Sequence, residues 1–281
     1  MQDAGISGGR RPSLNKDTRL CISLAGRPSN IGTRFHNYLY DQLGLDFIYK
    51  AFTTTDIVAA IGGVRALGIR GCSVSMPFKQ DVIPLVDKVE PSARAIDSVN
   101  TIVNDDGRLT ASNTDYIAVQ RLIDEQGLDP HDAVLIRGSG GMANAVGAAF
   151  RDNGFHSGVI VARNPESGRA LAARLGYDYA PAVGDRIAPI IVNVTPIGMA
   201  GGPEESETAF DEATIAKAHT VFDVVALPSE TPLIKAARMA GVHVISGAEV
   251  IALQAAEQFE RYTGVRPTLE QIAEASAISR A

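Results

Sequence analysis

Cysteine is scarce: two residues in a chain of 281, too few for a disulfide framework. Cys21 and Cys72 each lie in an apolar, strand-like run, where a free thiol packs as a small hydrophobe. No Cys/His cluster has the spacing of metal ligands, so a structural zinc site of the usual pattern is excluded. Long hydrophobic runs are also missing, and no segment approaches the roughly 20 apolar residues that a membrane-spanning helix needs. Residues 1–16 hold Gly, Ser and Arg without an apolar stretch; they do not read as a secretory leader, and a loose tail before the first strand is expected. Excess positive charge is lacking too: the formal net charge is −6, which gives no general attraction for nucleic acid or an anionic membrane. Internal repeats and low-complexity segments are absent. The expectation is a cytoplasmic protein with no nucleic-acid or membrane partner.

What is present is an ordinary globular balance, 45% hydrophobic and 21% charged, in a chain long enough for about two domains. Leu20–Leu24 reads as a strand, followed by a Gly/Pro/Ser/Asn loop over 26–32 and a helix from about Thr33 to Leu43. Strand Phe47–Phe52, helix Thr55–Ala66 and strand Gly71–Val74 follow, then helices beginning near Lys79 and over Ser92–Ile96. Val99–Asn104 and Leu109–Ala111 flank Asp105-Asp106-Gly107, the pattern of a β-hairpin. A helix over Tyr116–Glu125 leads to strands at Val134–Ile136, Gly158–Ala162, Ile190–Asn193, Val221–Val225 and Val242–Ile245, alternating with helices. The chain closes on helices Gly247–Tyr262 and Leu269–Ser279. The expected fold class is α/β: a first half that alternates strands and helices and forms its own layers, then an open parallel sheet with helices on both faces.

Gly138-Ser139-Gly140-Gly141-Met142-Ala143 links an apolar strand to an Ala/Val-rich helix. Glycines there let the backbone turn sharply and approach a pyrophosphate, which free N–H groups and the helix N-terminus then hold. The next strand ends in Arg163-Asn164, with no Asp or Glu to grip a ribose 2′-hydroxyl. A guanidinium at that place suits a 2′-phosphate, so NADP(H) is the expected cofactor.

Two further clusters stand out. In Gly71 to Lys79 a buried strand ends in a Pro-marked turn that delivers a lysine, a residue that is by default a solvated charge. Asn113-Thr114-Asp115 lies between a hairpin and a helix, where Thr or Asp ordinarily serves as an N-cap.

Taken with Ser98-Val99-Asn100-Thr101, Asn193 to Met199, Asp223-Val224-Val225, Glu230 to Leu233 and the terminal helix with Gln254, these motifs occur in the order of one family. From Leu20 to about Thr263 the chain resembles the shikimate dehydrogenases, two-domain NADP-dependent enzymes that interconvert 3-dehydroshikimate and shikimate. The resemblance implies an N-terminal α/β substrate domain (17–115, completed by 247–281) and an NADP-binding Rossmann domain (116–246), the C-terminal helices packing back on the first, in a monomer or homodimer acting on a small molecule. The resemblance implies that Lys79 and Asp115 are the catalytic pair and that Asn100, Gln254, Ser75 and Asn30 face a cyclic hydroxy-acid substrate held between the domains. It implies cofactor contacts from Gly138, Ser139, Gly140, Gly141, Met142, Arg163, Asn164, Thr195, Met199, Val224 and Gly247. A lysine beside the reacting oxygen can give or take its proton, and a carboxylate can orient the amine.

The chain departs from the family at several places. The loop after the first strand normally carries a Ser-x-Ser-Pro pattern that binds the substrate carboxylate; here it runs Gly26 to Asn37 and places Asn30 and Gly32 at the serine positions, with Ser29 and Thr33 as candidates after a shift. Arg27 and Arg34 are either alternative carboxylate ligands or solvated charges. Ser73 and Ser75 replace an Asn and a Thr, Ala226 replaces a Tyr, and Ser167 stands where a second basic residue of the nucleotide site belongs, with Arg169 two residues beyond. The chain therefore resembles a divergent, shikimate-dehydrogenase-like subgroup. Weak activity on shikimate, a relative such as quinate or an aminoshikimate as substrate, and a sensing role for a catalytically weak NADPH-binding protein all stay open. Among five histidines, only His36 lies near a proposed site, and packing or capping is its expected role.

Overall fold

Along the first strand, Ile22 and Leu24 face one side and Cys21 the other, the alternation of a sheet covered on both faces. The computed structural model describes residues 11–280. They fall into two compact units, one of the residues up to Thr114 with those from Ala252 on, the other Asp115–Ile251. In the first, β1 (Arg19–Ala25), α1 (Ile31–Gln42), β2 (Phe47–Thr53), α2 (Ile57–Ala66), β3 (Gly71–Val74), β4 (Lys88–Val89), α3 (Pro91–Arg94), β5 (Thr101–Asp105) and β6 (Arg108–Ser112) build a six-stranded sheet of order β2-β1-β3-β5-β6-β4. β1 runs parallel to β2 and β3, whereas β5 is antiparallel to β3 and β6. The expected hairpin is present: Asp105 pairs with Arg108, and the two turn residues Asp106 and Gly107 both have positive φ, 50° and 89°. That geometry matches the twist of the flanking strands.

The helix expected to begin near Lys79 is not there. The chain makes tight turns from Met76 to Val82 and then one 3₁₀ turn, Ile83–Leu85. Pro84 explains the difference, because inside an α-helix it lacks the N–H donor and its ring meets the carbonyl one turn earlier. Of the expected tail, residues 1–10 lie outside the described residues; Arg11 within it donates to Asn37 Oδ1 and Phe47 O, both at 3.2 Å, and pairs with Asp41 at 3.3 Å.

The second unit begins within α4 (Thr114–Glu125). It continues through β7 (Val134–Arg137), α5 (Gly141–Asp152), β8 (Gly158–Val161), α6 (Pro165–Leu175), β9 (Asp178–Ala180), β10 (Ile190–Asn193), α7 (Glu212–Lys217), β11 (Thr220–Asp223), α8 (Pro232–Met239) and β12 (His243–Ser246). All strand pairs are parallel and the order is β12-β11-β10-β7-β8-β9, the doubly wound arrangement with its switch point between β7 and β10. β11 stops at Asp223 rather than Val225 because the Asp223 carboxylate accepts the Val225 N–H at 3.1 Å and turns the chain.

α9 (Gly247–Thr263) starts in the second unit and finishes in the first, and α10 (Leu269–Arg280) follows. Asp115 and residues 247–251, expected with the first domain, are thus counted with the second, both divisions falling inside continuous helices. The later turns of α9 place Phe259 and Tyr262 against Phe35, Leu39 and Tyr40 of α1, all essentially inaccessible to solvent. Each such side chain contributes about 1.5–3 kcal/mol. Gly71 makes room for this layer: a Cβ there would lie 2.3 Å from the Tyr262 ring.

Candidate active site

The C-terminal ends of β7, β8 and β10 open into a cavity of about 830 Å³ in the second unit. Gly138, Ser139, Gly140, Arg163, Asn164 and Thr195 are brought together in its wall; Gly141, Met142, Met199, Val224 and Gly247 are not part of that lining. Gly138 has φ +130°, and a Cβ on it would lie 2.7 Å from the Val194 side chain. An added Cβ at Gly140 or Gly141 would meet nothing within 4 Å, so this stretch leaves the backbone open to an approaching group. Gly140 caps α5 without a side-chain hydrogen bond, leaving first-turn N–H groups for an anion. A pyrophosphate fits this donor set.

Arg163 is exposed and pairs with Glu204 at 3.3 Å. Asn164 lines the same cavity, but its side chain caps α6, accepting from the Glu166 and Ser167 N–H groups at 2.9 and 3.3 Å. Ser167 does not supply the missing second cation: its hydroxyl shares a 2.8 Å hydrogen bond with that of Ser139. Sequence reasoning overlooked Arg137, the last residue of β7, which reaches the cavity wall and donates to the Ala209 carbonyl. Its signal was a basic residue closing an otherwise apolar strand just ahead of the glycines.

Behind the cavity, one buried carboxylate fixes the loops after β10 and β11. Asp223 Oδ1 accepts from Asn193 Nδ2 (3.0 Å), and Oδ2 accepts from Thr231 Oγ1 (2.6 Å). Asn193 Oδ1 in turn receives the N–H and hydroxyl of Thr195 at 3.0 and 2.6 Å. Burial, opposed by these hydrogen bonds, raises the Asp223 pKa. Gly247 allows α9 to begin hard against the Val224 carbonyl, which an added Cβ would approach to 2.4 Å. Met199 is exposed on the loop after β10.

In the first unit, Lys79 is half-buried in the turn after β3, between the anchoring Phe78 and a backbone bond from Val99 N–H to the Lys79 carbonyl at 2.8 Å. Asn100 is almost fully buried, and its Oδ1 gathers the Thr114 N–H (2.8 Å), the Thr114 hydroxyl (3.1 Å) and the Thr101 hydroxyl (2.8 Å). That carboxamide sets the start of α4, whose second residue is the half-buried Asp115. The Thr114 hydroxyl lies 3.4 Å from Gln254 Oε1 on α9. Ser75 and Asn30 are both exposed, and Asn30 makes no side-chain cap to α1.

Three residues missed in the sequence, Gln258, Tyr49 and Ser23, join this polar cluster together with Ser73. Gln258 donates to the Thr101 hydroxyl at 3.0 Å, with the Asn100 carbonyl and Ser73 hydroxyl at 3.4 Å. The Tyr49 hydroxyl meets those of Ser73 and Ser23, and burial raises its pKa. Gln258 stands one helical turn beyond Gln254 and Ser23 two residues beyond buried Cys21 on one strand, which are their faint signals in the sequence. His36 stacks on Tyr49, ring centroids 4.4 Å apart, fully buried and with neither ring nitrogen hydrogen-bonded. Burial lowers its pKa to about 3, opposed weakly by the nearby Gln258 carboxamide, so it packs as a neutral ring.

A doubly wound unit with a glycine cradle and a cation after its second strand, in one chain with a mixed-sheet unit carrying a lysine beside a buried polar cluster, defines a two-unit dinucleotide-binding α/β protein. Residues 30–102 match the shikimate dehydrogenase substrate binding domain. A shikimate dehydrogenase-like protein of Haemophilus influenzae is 60% identical over 95% of this chain and 98% of its own length. The shikimate dehydrogenase (NADP(+)) of Moorella thermoacetica is 35% identical over 86% of this chain and 88% of its own. A solved structure of a shikimate 5-dehydrogenase-like protein, 59% identical, matches with a TM-score of 0.95 over 96% of this chain and all of that one. The chain belongs to the shikimate dehydrogenase family.

Proposed function

We propose that this chain is a cytoplasmic NADP-dependent dehydrogenase that interconverts 3-dehydroshikimate and shikimate, or a close cyclic hydroxy-acid analogue. The observation that carries the reading is the cavity after β7 and β8, where Gly138 to Gly140 leave room for phosphates and Arg163 replaces the acid of an NAD site. Bound NADPH would supply the hydride for a ring carbonyl. Gly138, Gly140 and the first turn of α5 would hold its pyrophosphate, and Arg163, now paired with Glu204, would hold the 2′-phosphate.

Lys79 acts as acid and base: its ammonium gives a proton to the oxygen that becomes the hydroxyl and recovers it in the reverse direction. Asp115 holds that hydroxyl and orients the amine. Asn100 works through position, because its carboxamide oxygen is already taken by Thr114 and Thr101. Gln254 and Gln258 present carboxamides beside it to the substrate hydroxyls.

Quinate or an aminoshikimate is the second reading for the substrate, favoured by the exposed Gly26–Asn30 loop without its serine pair and by Ala226 in place of tyrosine. A catalytically weak NADPH sensor is the alternative of another class. Steady-state assays with NADP and shikimate, quinate or aminoshikimate, beside the Lys79→Ala variant, separate the three. Turnover of one substrate with a fall of about 10²–10⁴ in kcat on removing the lysine supports the assignment. Turnover unchanged in that variant removes Lys79 from the chemistry, and NADPH binding with no turnover of any substrate favours the sensor.

A further inference from the structure

The nucleotide cavity holds a second guanidinium that no basic loop position accounts for. Arg137 ends β7 immediately before Gly138, and its side chain lines the same cavity as Arg163, the two charges close enough to repel. Half-buried, it makes one hydrogen bond, to the Ala209 carbonyl, which neutralises no charge. Glu204 and Glu207 stand near it, and Glu204 is engaged by Arg163 at 3.3 Å. The backbone fixes Glu204 in place: its carbonyl accepts the Gly198 N–H at 2.9 Å and the Glu207 N–H at 3.1 Å. Two cations thus line one cavity, Arg163 paired with the Glu204 carboxylate and Arg137 within its electrostatic reach but not paired with it. The place where a second cation would ordinarily sit is filled by Ser167, whose hydroxyl is bonded to Ser139.

We propose that Arg137 is the second half of the 2′-phosphate site and a determinant of NADP over NAD preference, with Glu204 as the internal anion that occupies Arg163 until the phosphate arrives. This rests on the NADP reading above. The physical case is charge balance. A 2′-phosphate carries close to two negative charges and several acceptor oxygens, more than one guanidinium at an exposed position satisfies. Burial makes a lone guanidinium costly and a charge-assisted bond to it worth more. Arg137 suits the task, since its strand position gives it a partly desolvated stem that loops cannot offer, and its fork of N–H groups retains donors beyond the one used on Ala209.

The test is equilibrium binding by calorimetry of NADPH, NADH and adenosine 2′,5′-bisphosphate to the full-length protein, its Arg137→Met and Arg163→Met variants, and Glu204→Gln. Loss of a charge-assisted bond predicts that Arg137→Met weakens NADPH and the bisphosphate about 10- to 100-fold, with NADH changed less than threefold. Glu204→Gln should tighten NADPH and leave NADH alone, a readout that survives even if Arg137→Met fails to fold. Equal weakening of NADPH and NADH would show that Arg137 only supports the adenine side of the cavity, and unchanged NADPH affinity in Arg137→Met, or no gain in Glu204→Gln, would overturn the proposal. Failure of the unmodified protein to bind NADPH tighter than NADH would instead sink the NADP reading itself.

Discussion

Replacing His36 by Leu should flatten the acid side of the stability profile. Folded, the imidazole is fully buried against Tyr49 and Phe259, and its pKa is lowered from 6.5 to about 3, burial being the cause. The tyrosines around it, Tyr40, Tyr49 and Tyr262, are pushed up by burial and carry no charge in this range. Because the folded pKa is depressed, the unfolded chain binds a proton below pH 6.5 that the folded chain refuses. The associated stability is complete above pH 6.5 and is lost as the pH falls toward 3, at about 1.4 kcal/mol per pH unit. Between pH 7 and pH 5 the loss through this one group is about 2 kcal/mol. Carboxylates add their own acid dependence, but they are the same in both proteins and cancel in the comparison. Urea unfolding followed by circular dichroism at pH 7, 6 and 5 measures the effect. The His36→Leu protein should lose about 2 kcal/mol less than the parent over that interval. Parallel stability curves would refute the claim that the ring is kept neutral.

Two other perturbations test the packing. Gly71→Ala pushes a methyl to 2.3 Å from the Tyr262 ring and should cost about 1–3 kcal/mol or more; chemical denaturation of the single variant and of Gly71→Ala/Tyr262→Leu should show the second change relieving part of the first, and strict additivity would argue that the ring simply moves aside. Thr231→Val removes both the 2.6 Å hydrogen bond to Asp223 and the cap on the Ile234 N–H, so its unfolding free energy should fall by about 2–4 kcal/mol, and a loss below about 0.5 kcal/mol would contradict the tie described for Asp223.

Much of the fold could be read from periodicity. Most strands of both sheets are short apolar runs, and the Asp106-Gly107 turn specifies its hairpin locally. The helix expected to begin near Lys79 does not form because Pro84, five residues on, has no N–H to donate and its ring would meet the carbonyl one turn earlier. β9 was missed because three residues beginning with Asp carry almost no pattern. The nucleotide cradle was legible since glycine identity reports backbone geometry directly. Gln258, Tyr49 and Arg137 were not, because their meaning depends on which strand or helix face turns toward them, a tertiary fact that one-dimensional spacing encodes only weakly.

The Asp223 hub has a bearing on how this protein can change. Since a single buried carboxylate, with Asn193 and Thr231, already fixes where β11 ends and α8 begins, the short stretch between them is released from specifying its own shape. Ala226, where the family resemblance implies a tyrosine, sits inside that stretch. It is a natural place to diversify by mutagenesis: new side chains there would arrive on a scaffold that does not need them, so selectivity can drift while the frame endures.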